Sequence, residues 1–375
     1  MKKVIWISSY LPRSCGIAYY SADYIGALRK TRKVKIKIIS HTDALEADYP
    51  VIDVGNMISI KDTFWHKKVF NIIKKEKPYV VHIQHEYGLY ETYSDRNQRV
   101  LELLKLLKDH GIKVVMTYHT IFLKLEKTHA EFVSASLKLV SAGIFHEEYQ
   151  KDALKKNIGW QPDNVYVLPH GSSMDLHLDK EKIRKSYNYD HQLVVGCAGL
   201  ADERKGFRTL IKQWPKVVKK FPNAILSLEV KPHVSDATKV YIDKVLETVM
   251  KSPVGKNIEF IVKDYSKEEF YKRLKCFDVL ALPYKSESQS GVLAHGFAAG
   301  VPAIVTDIEG LGAEIRNSKA GIAVKDRRKF YMAIIKMLSS KKLRDRFSRN
   351  AENYVKNVSG WNIIARKTLK IYNGL

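Results

Sequence analysis

The run PYKSESQSGVLAHGFAAGVPAIVTD at residues 283–307 combines the two features needed to hold a phosphorylated sugar. A buried-strand pattern at 278–282 leads into a Ser/Gly turn. The turn opens a short helix of small and apolar residues that stops at Gly300. The N–H groups of such a helix start, with no bulky side chain in front of them, make a ready anion site. Glu287 stands just ahead of it, placed to accept hydrogen bonds from a polyol. A phosphate seat beside a hydroxyl-binding carboxylate points to a nucleotide-sugar ligand.

Four more clusters carry chemistry. GLADERKG (199–206) follows a strand pattern and precedes a helix, so Arg204 and Lys205 are placed to clamp a diphosphate, although in a basic chain they also suit an ordinary exposed pair. SSYLPRSCGIA (8–18) has Gly16 where strand gives way to helix, which lets backbone approach a ligand closely. It contains no GxGxxG, so a dinucleotide fingerprint is unsupported, and Gly16 also fits a plain turn. HIQHEYG (82–88) closes a strand with His82, His85 and Glu86. Adjacent strand residues point to opposite faces, so HxxHE is a poor zinc pattern. Ligand binding by a polar strand end is the better reading, with a capped strand end equally open for His82. TYHT (117–120) sets His119 at the end of the next strand, level with Glu86 and Gly16, where catalytic and structural roles are both open.

These clusters need a scaffold that brings strand ends together. Short β-branched runs at 3–8, 34–39, 79–83, 114–118 and 165–168 alternate with helical patterns at 18–28, 64–75 and 96–108. After a polar segment at 179–191, a second set follows at 193–198, 224–229, 258–262, 279–282 and 303–305, with helices at 207–220 and 267–276. Ser266 and Glu269 make a capping box for the last of these. Alternation of this kind predicts two doubly wound domains with parallel sheets, dividing near residue 185 and carrying ligand-binding turns at the carboxyl ends of the strands.

Bulk properties agree with a two-domain folded chain of 375 residues. Three cysteines lie far apart without a CxxC, which fits a reducing, cytoplasmic setting and argues against a thiolate metal site. The first apolar run is too short for a signal peptide, and none approaches the roughly 18 residues of a membrane span. The unusual feature is charge: 64 Lys and Arg against 40 Asp and Glu give +24. Such a field favours polyanionic partners, while solvated basic helix faces account for it equally well.

Taken together, these residues resemble the GT-B retaining glycosyltransferases of family 4, the group that includes sucrose, glycogen, lipid and polysaccharide transferases. The likeness runs along essentially the whole chain and is sharpest at 199–206, at 278–307 and in the closing WNIIARKTLKIY (361–372). CGIA (15–18) and QHEYG (84–88) resemble one subgroup. The resemblance implies an α/β, GT-B fold of two Rossmann-like domains facing a central cleft. The first would span 1–185 and the donor-binding domain 186–355, with a last helix at 356–375 crossing back to the first. It implies retaining, metal-independent transfer from a UDP- or GDP-linked sugar to a glycan or lipid-linked hydroxyl, the nucleotide sugar being a substrate and no cofactor being required.

By the same resemblance, Lys205 binds the donor diphosphate and Glu287 the hydroxyls of the transferred sugar. The N–H groups of Ser290, Gly291 and Val292 meet the phosphates, Gly199 belongs to the donor loop, and Gly16 lies under the diphosphate. His119 matches the active-site histidine, and Arg13, His85, Glu86 and Tyr87 fall on the acceptor side. Two positions depart from the pattern. Leu200 replaces an arginine, for which Arg204 is the neighbouring cation. His295, eight residues after Glu287, replaces a glutamate that holds the ribose. Imidazole can hydrogen-bond a ribose but is no bidentate carboxylate.

Three functions therefore stand open. The first is a cytoplasmic transferase whose basic surface holds it to an anionic inner membrane face. The second is a glycosyltransferase acting on a flipped base in DNA, with the positive charge on phosphates. The third is a catalytically silent module binding sugar nucleotides or a partner protein, supported by Leu200 and His295 alone. Tyr19, Tyr20 and Arg13, with Tyr90, Tyr93 and Arg96, would suit either acceptor.

Overall fold

A computed structural model of the chain describes residues 1–13, 15–41, 54–58, 62–91, 97–173, 179–232 and 236–375. Contacts divide it into two units, Met1–Gly171 with Trp361–Leu375, and Ser172–Gly360.

The first unit is built on seven parallel strands: β1 (Lys2–Ile7), β2 (Val34–His41), β3 (Val54–Ile58), β4 (Val80–His85), β5 (Val114–Tyr118), β6 (Ala142–Phe145) and β7 (Val165–Val167), in the order β3-β2-β1-β4-β5-β6-β7. Both faces of the sheet carry buried apolar residues because helices cover both. Ile5, Ile7, Ile83 and Met116 pack in one layer, while Val4, Trp6, Val115 and Ile144 pack in the other. The last helix, Trp361–Gly374, completes the second layer beside the helix Gly16–Lys30, through Trp361, Ile364 and Tyr372. Tyr24 and Thr368 share a hydrogen bond across that helix pair.

The second unit has six parallel strands: β8 (Leu193–Leu200), β9 (Ala224–Lys231), β10 (Ile258–Val262), β11 (Val279–Leu282), β12 (Ala303–Thr306) and β13 (Gly321–Val324), in the order β10-β9-β8-β11-β12-β13. The helix Lys267–Cys276 is opened by the expected capping box between Ser266 and Glu269. Both sheets reverse their strand order once, between β1 and β4 and between β8 and β11. Ligands of open α/β sheets bind at such points, beyond the carboxyl ends of the strands.

Two boundaries differ from the sequence expectation. The break falls after Gly171, not near 185, because the helix Lys180–Ser186 is fastened to the second unit. Arg184 donates to Cys276 O at 2.5 Å and Asp278 Oδ2 at 3.2 Å, and Lys180 donates to Phe277 O at 3.0 Å. The return to the first unit begins at Trp361, not at 356, since Val355 still packs in the second unit's core. Strands β3, β6 and β13 escaped the sequence reading. Each is four or five residues long and carries a glycine, so neither alternation nor β-branching marks it strongly.

Candidate active site

In the second unit the loops after β8 and β11 are locked together. Asp202 caps a short 3-10 turn, Glu203–Lys205, by accepting from the Arg204 N–H at 2.7 Å. Gly206 follows with φ of 73°, and a Cβ there would lie 2.4 Å from the Pro283 carbonyl oxygen. Only glycine allows that approach. The Lys285 N–H donates to Arg204 O at 2.7 Å, a second tie between the loops.

The result is a paired cation and anion. Lys205 and Glu287, mostly buried, form an ion pair, and Lys205 Nζ also lies 4.2 Å over the Tyr284 ring. Tyr284 is fixed in turn by donating to Ala198 O at 2.8 Å. Just beyond Glu287, Ser290 caps the helix Gly291–Ala298 by accepting from Leu293 N at 3.3 Å. The leading N–H groups of that helix, Gly291 and Val292 among them, give its start a partial positive charge. Ammonium, helix start and carboxylate therefore converge at the switch point of the second sheet, a combination suited to a diphosphate and to hydroxyl groups.

Other expected donor residues are placed differently. Arg204 is exposed, and its guanidinium is engaged by Asp202 at 2.7 and 2.9 Å, because the capping carboxylate lies within its reach. Leu200 is exposed. Gly199, the last residue but one of β8, lies beside Tyr284 and Lys205. His295 sits one turn into the helix Gly291–Ala298, with Nδ1 2.8 Å from the Tyr271 hydroxyl, so its ring is tied to the neighbouring helix Lys267–Cys276.

In the first unit, His119 is buried just past β5. Its Nε2 is 2.9 Å from the Gln84 amide oxygen. His146 and His170 follow β6 and β7, and all three rings gather around Tyr20 with centroids 4.7, 5.8 and 5.0 Å away. Burial, together with His146 and His170, pushes the His119 imidazole far below its ordinary pKa, and burial lowers His146 to about 4. The His119 and His146 rings are neutral at physiological pH. Glu86 is half-buried and accepts from Tyr87 N at 2.8 Å and the Thr120 hydroxyl at 2.7 Å. Gly16 is exposed at the first position of its helix, with nothing within 4 Å of a Cβ, so the chain itself does not demand glycine there. Arg13 is half-buried in the preceding loop.

Several acceptor-side expectations are corrected. His85 is buried on the sheet face opposite Gln84 and stacks on Phe132 at 4.4 Å, since strand alternation turns it into the apolar layer. Tyr87 is buried against His129 at 3.7 Å. Tyr20 and Tyr90 are buried too, the Tyr90 hydroxyl being spent on Ile7 O and Gln84 O. Tyr93 and Arg96 lie outside the described residues. Among the described residues, no three His, Cys, Asp or Glu side chains gather to hold a metal ion. Sequence reading overlooked Gln84, Tyr284, His146 and His170. A polar residue two positions from His82, and histidines just past the last two strands, were the available signals.

A family profile described as Glycosyltransferase Family 4 matches residues 15–175, and one described as Glycosyl transferases group 1 matches residues 179–354. The chain belongs to the group 1 glycosyltransferases. D-inositol 3-phosphate glycosyltransferases of Rhodococcus erythropolis and Rhodococcus jostii are 25% and 22% identical to this member over 179 and 178 residues, 47% of the chain in each case. The chain spans about 40% of the length of these curated relatives. Among solved structures, Anabaena HepE in complex with UDP superposes with a TM-score of 0.77 at 13% identity, covering all of both chains. Sucrose-phosphate synthase from Thermosynechococcus elongatus gives 0.79 at 14% identity, covering 100% of this chain and 99% of that one. At such identities the likeness establishes the fold, which is GT-B.

Proposed function

We propose that this group 1 family member transfers a sugar from a nucleotide diphosphate to a hydroxyl of a glycan or lipid-linked acceptor, with retention of anomeric configuration and without a metal. The observation that carries the reading is the Lys205–Glu287 pair at the start of the helix Gly291–Ala298. Cleavage of the donor places negative charge on the departing diphosphate, where the Lys205 ammonium and the helix start would stabilise it. Glu287 would accept from the sugar hydroxyls and orient the anomeric carbon. A donor phosphate oxygen would take the acceptor's proton on the same face, which gives retention. Arg204 is held by Asp202 and is assigned no direct part in this step. His119 would contribute a neutral imidazole that accepts from a sugar hydroxyl.

UDP is the first nucleotide to test, because the Anabaena protein of like fold is solved with UDP and with UDP-glucose. A thermal-shift screen of the full chain against UDP, GDP and their sugars reads base and sugar together. A ligand at 100 times its Kd stabilises the native state by about 2.7 kcal/mol. No shift with any nucleotide or nucleotide sugar would overturn the proposal. Salt-dependent retention on duplex DNA, with none on anionic vesicles, would favour the DNA-directed reading of the basic surface.

A further inference from the structure

A line of buried polar side chains joins His119 to the C-terminal helix through one face of the first sheet. His82 and Gln84 stand two residues apart on β4, so they share a face, and Thr117 on β5 is the register partner of Gln84. The Gln84 amide oxygen is 2.9 Å from His119 Nε2, and its amide nitrogen is 3.4 Å from Thr117 Oγ1. Thr117 Oγ1 is 2.8 Å from His82 Nε2, and His82 Nδ1 is 2.5 Å from the Tyr372 hydroxyl. All five side chains are at most 1% exposed.

The protons on this line can run in one sense. An amide oxygen only accepts, so the contact with His119 places the ring proton on Nε2 and leaves the lone pair on Nδ1. The amide N–H of Gln84 then donates to Thr117, the Thr117 hydroxyl donates to His82 Nε2, and His82 Nδ1–H donates to Tyr372. Burying these groups unpaired would cost each its full desolvation, so the line is held as a unit.

We propose that Gln84 is a positioning residue that locks His119 in the Nε2–H tautomer, with Thr117, His82 and Tyr372 holding the amide the right way round. Nδ1 of His119 is then committed to accepting a hydrogen bond. The use of that lone pair on a sugar hydroxyl rests on the glycosyltransferase reading, whereas the tautomer itself does not.

The test begins with ring-nitrogen NMR of the full chain labelled with 15N-histidine, the His119 signals being identified by their loss in His119→Asn. The expected result in the wild type is a protonated Nε2 and an unprotonated Nδ1. A proton on Nδ1, as an inverted amide would produce, overturns the proposal. Gln84→Met keeps length and removes the acceptor. It should yield a mixture of tautomers and lower kcat on the order of 10- to 100-fold, with donor KM little changed. Gln84→Glu keeps an acceptor oxygen and should restore both the tautomer and most of the turnover. A Gln84→Met protein that keeps the wild-type tautomer, or loses it with unchanged kcat, overturns the positioning role. If the wild type transfers sugar from no nucleotide donor, the transferase reading falls, and the ring-nitrogen spectrum still decides the tautomer.

Discussion

Lowering the pH from 7.5 to 5.5 should remove several kcal/mol of stability from the first unit while leaving the second nearly unaffected. Burial pushes His82 and His85 down to about 3 and His146 to about 4. In the unfolded chain each returns to about 6.5. Because the folded values are depressed, the rings stay neutral in the native unit, while the unfolded chain takes up protons below about pH 6.5. The stability is therefore present above that value and is lost as pH falls from it toward the folded pKa. For each ring the change between pH 7.5 and 5.5 is about 1.4 kcal/mol. Three rings give about 4 kcal/mol by the same linkage, and His119, pushed in the same direction, adds to it. A loss of that size is a large part of an ordinary domain's stability. The second unit buries no histidine among its described residues and lacks this term.

Four of the five tryptophans, Trp6, Trp65, Trp160 and Trp361, belong to the first unit and only Trp214 to the second, so Trp214→Phe makes fluorescence a reporter of the first unit. With an m-value of roughly 2 kcal/mol/M, the urea midpoint should drop by about 2 M between pH 7.5 and 5.5 and hardly move between 8.5 and 7.5. A drop under about 0.5 M would refute the assignment of neutral, buried histidines, since even one such ring accounts for more than that.

Lys205→Ala and Glu287→Ala should each lower transfer on the order of 100- to 1,000-fold in a protein that still folds, as measured by steady-state kinetics beside urea titration. Near wild-type turnover in both would dismiss the site. Gly206→Ala forces a left-handed residue against Pro283 O and should cost about 1–3 kcal/mol while weakening nucleotide binding, read by calorimetry. Arg273 is buried in the second unit with Glu229 Oε1 at 2.5 Å and Ser227 Oγ at 2.7 Å. Arg273→Met should destabilise that unit by roughly 3–5 kcal/mol, and adding Glu229→Met should recover much of the loss, followed through Trp214 in urea.

The candidate residues of the two units differed in how far the sequence revealed them, for a physical reason. The second unit's set is built around residues that the backbone itself requires: Gly206 for a left-handed turn against Pro283, and Ser290 for a helix cap. Such demands are local, so their residue types and spacing survive in one dimension. The ion pair they hold was visible as two candidates, Lys205 and Glu287. Their meeting was not, because they lie 82 positions apart and are joined only by the adjacency of β8 and β11. The pairing of Arg204 with Asp202 was not legible, because it depends on side-chain reach, which no spacing rule encodes.

The first unit's set is assembled instead from one residue at each of several strand ends, and nothing local marks such a group. His119, His146 and His170 come from three strands, one of which, β6, is a four-residue Ala-Gly-Ile-Phe run too weak to read. Strand alternation alone separates His85, which falls into the apolar layer, from Gln84, which faces Thr117 and His119. Both residues sit in the same polar motif, and their opposite fates follow from which face of β4 each occupies. That face is fixed by the pairing of β4 with β5, so knowing the register would have moved attention from His85 to Gln84. The residue that orients the imidazole was thus in view within HIQHEYG, and what the sequence lacked was the partner strand that gives Gln84 its role.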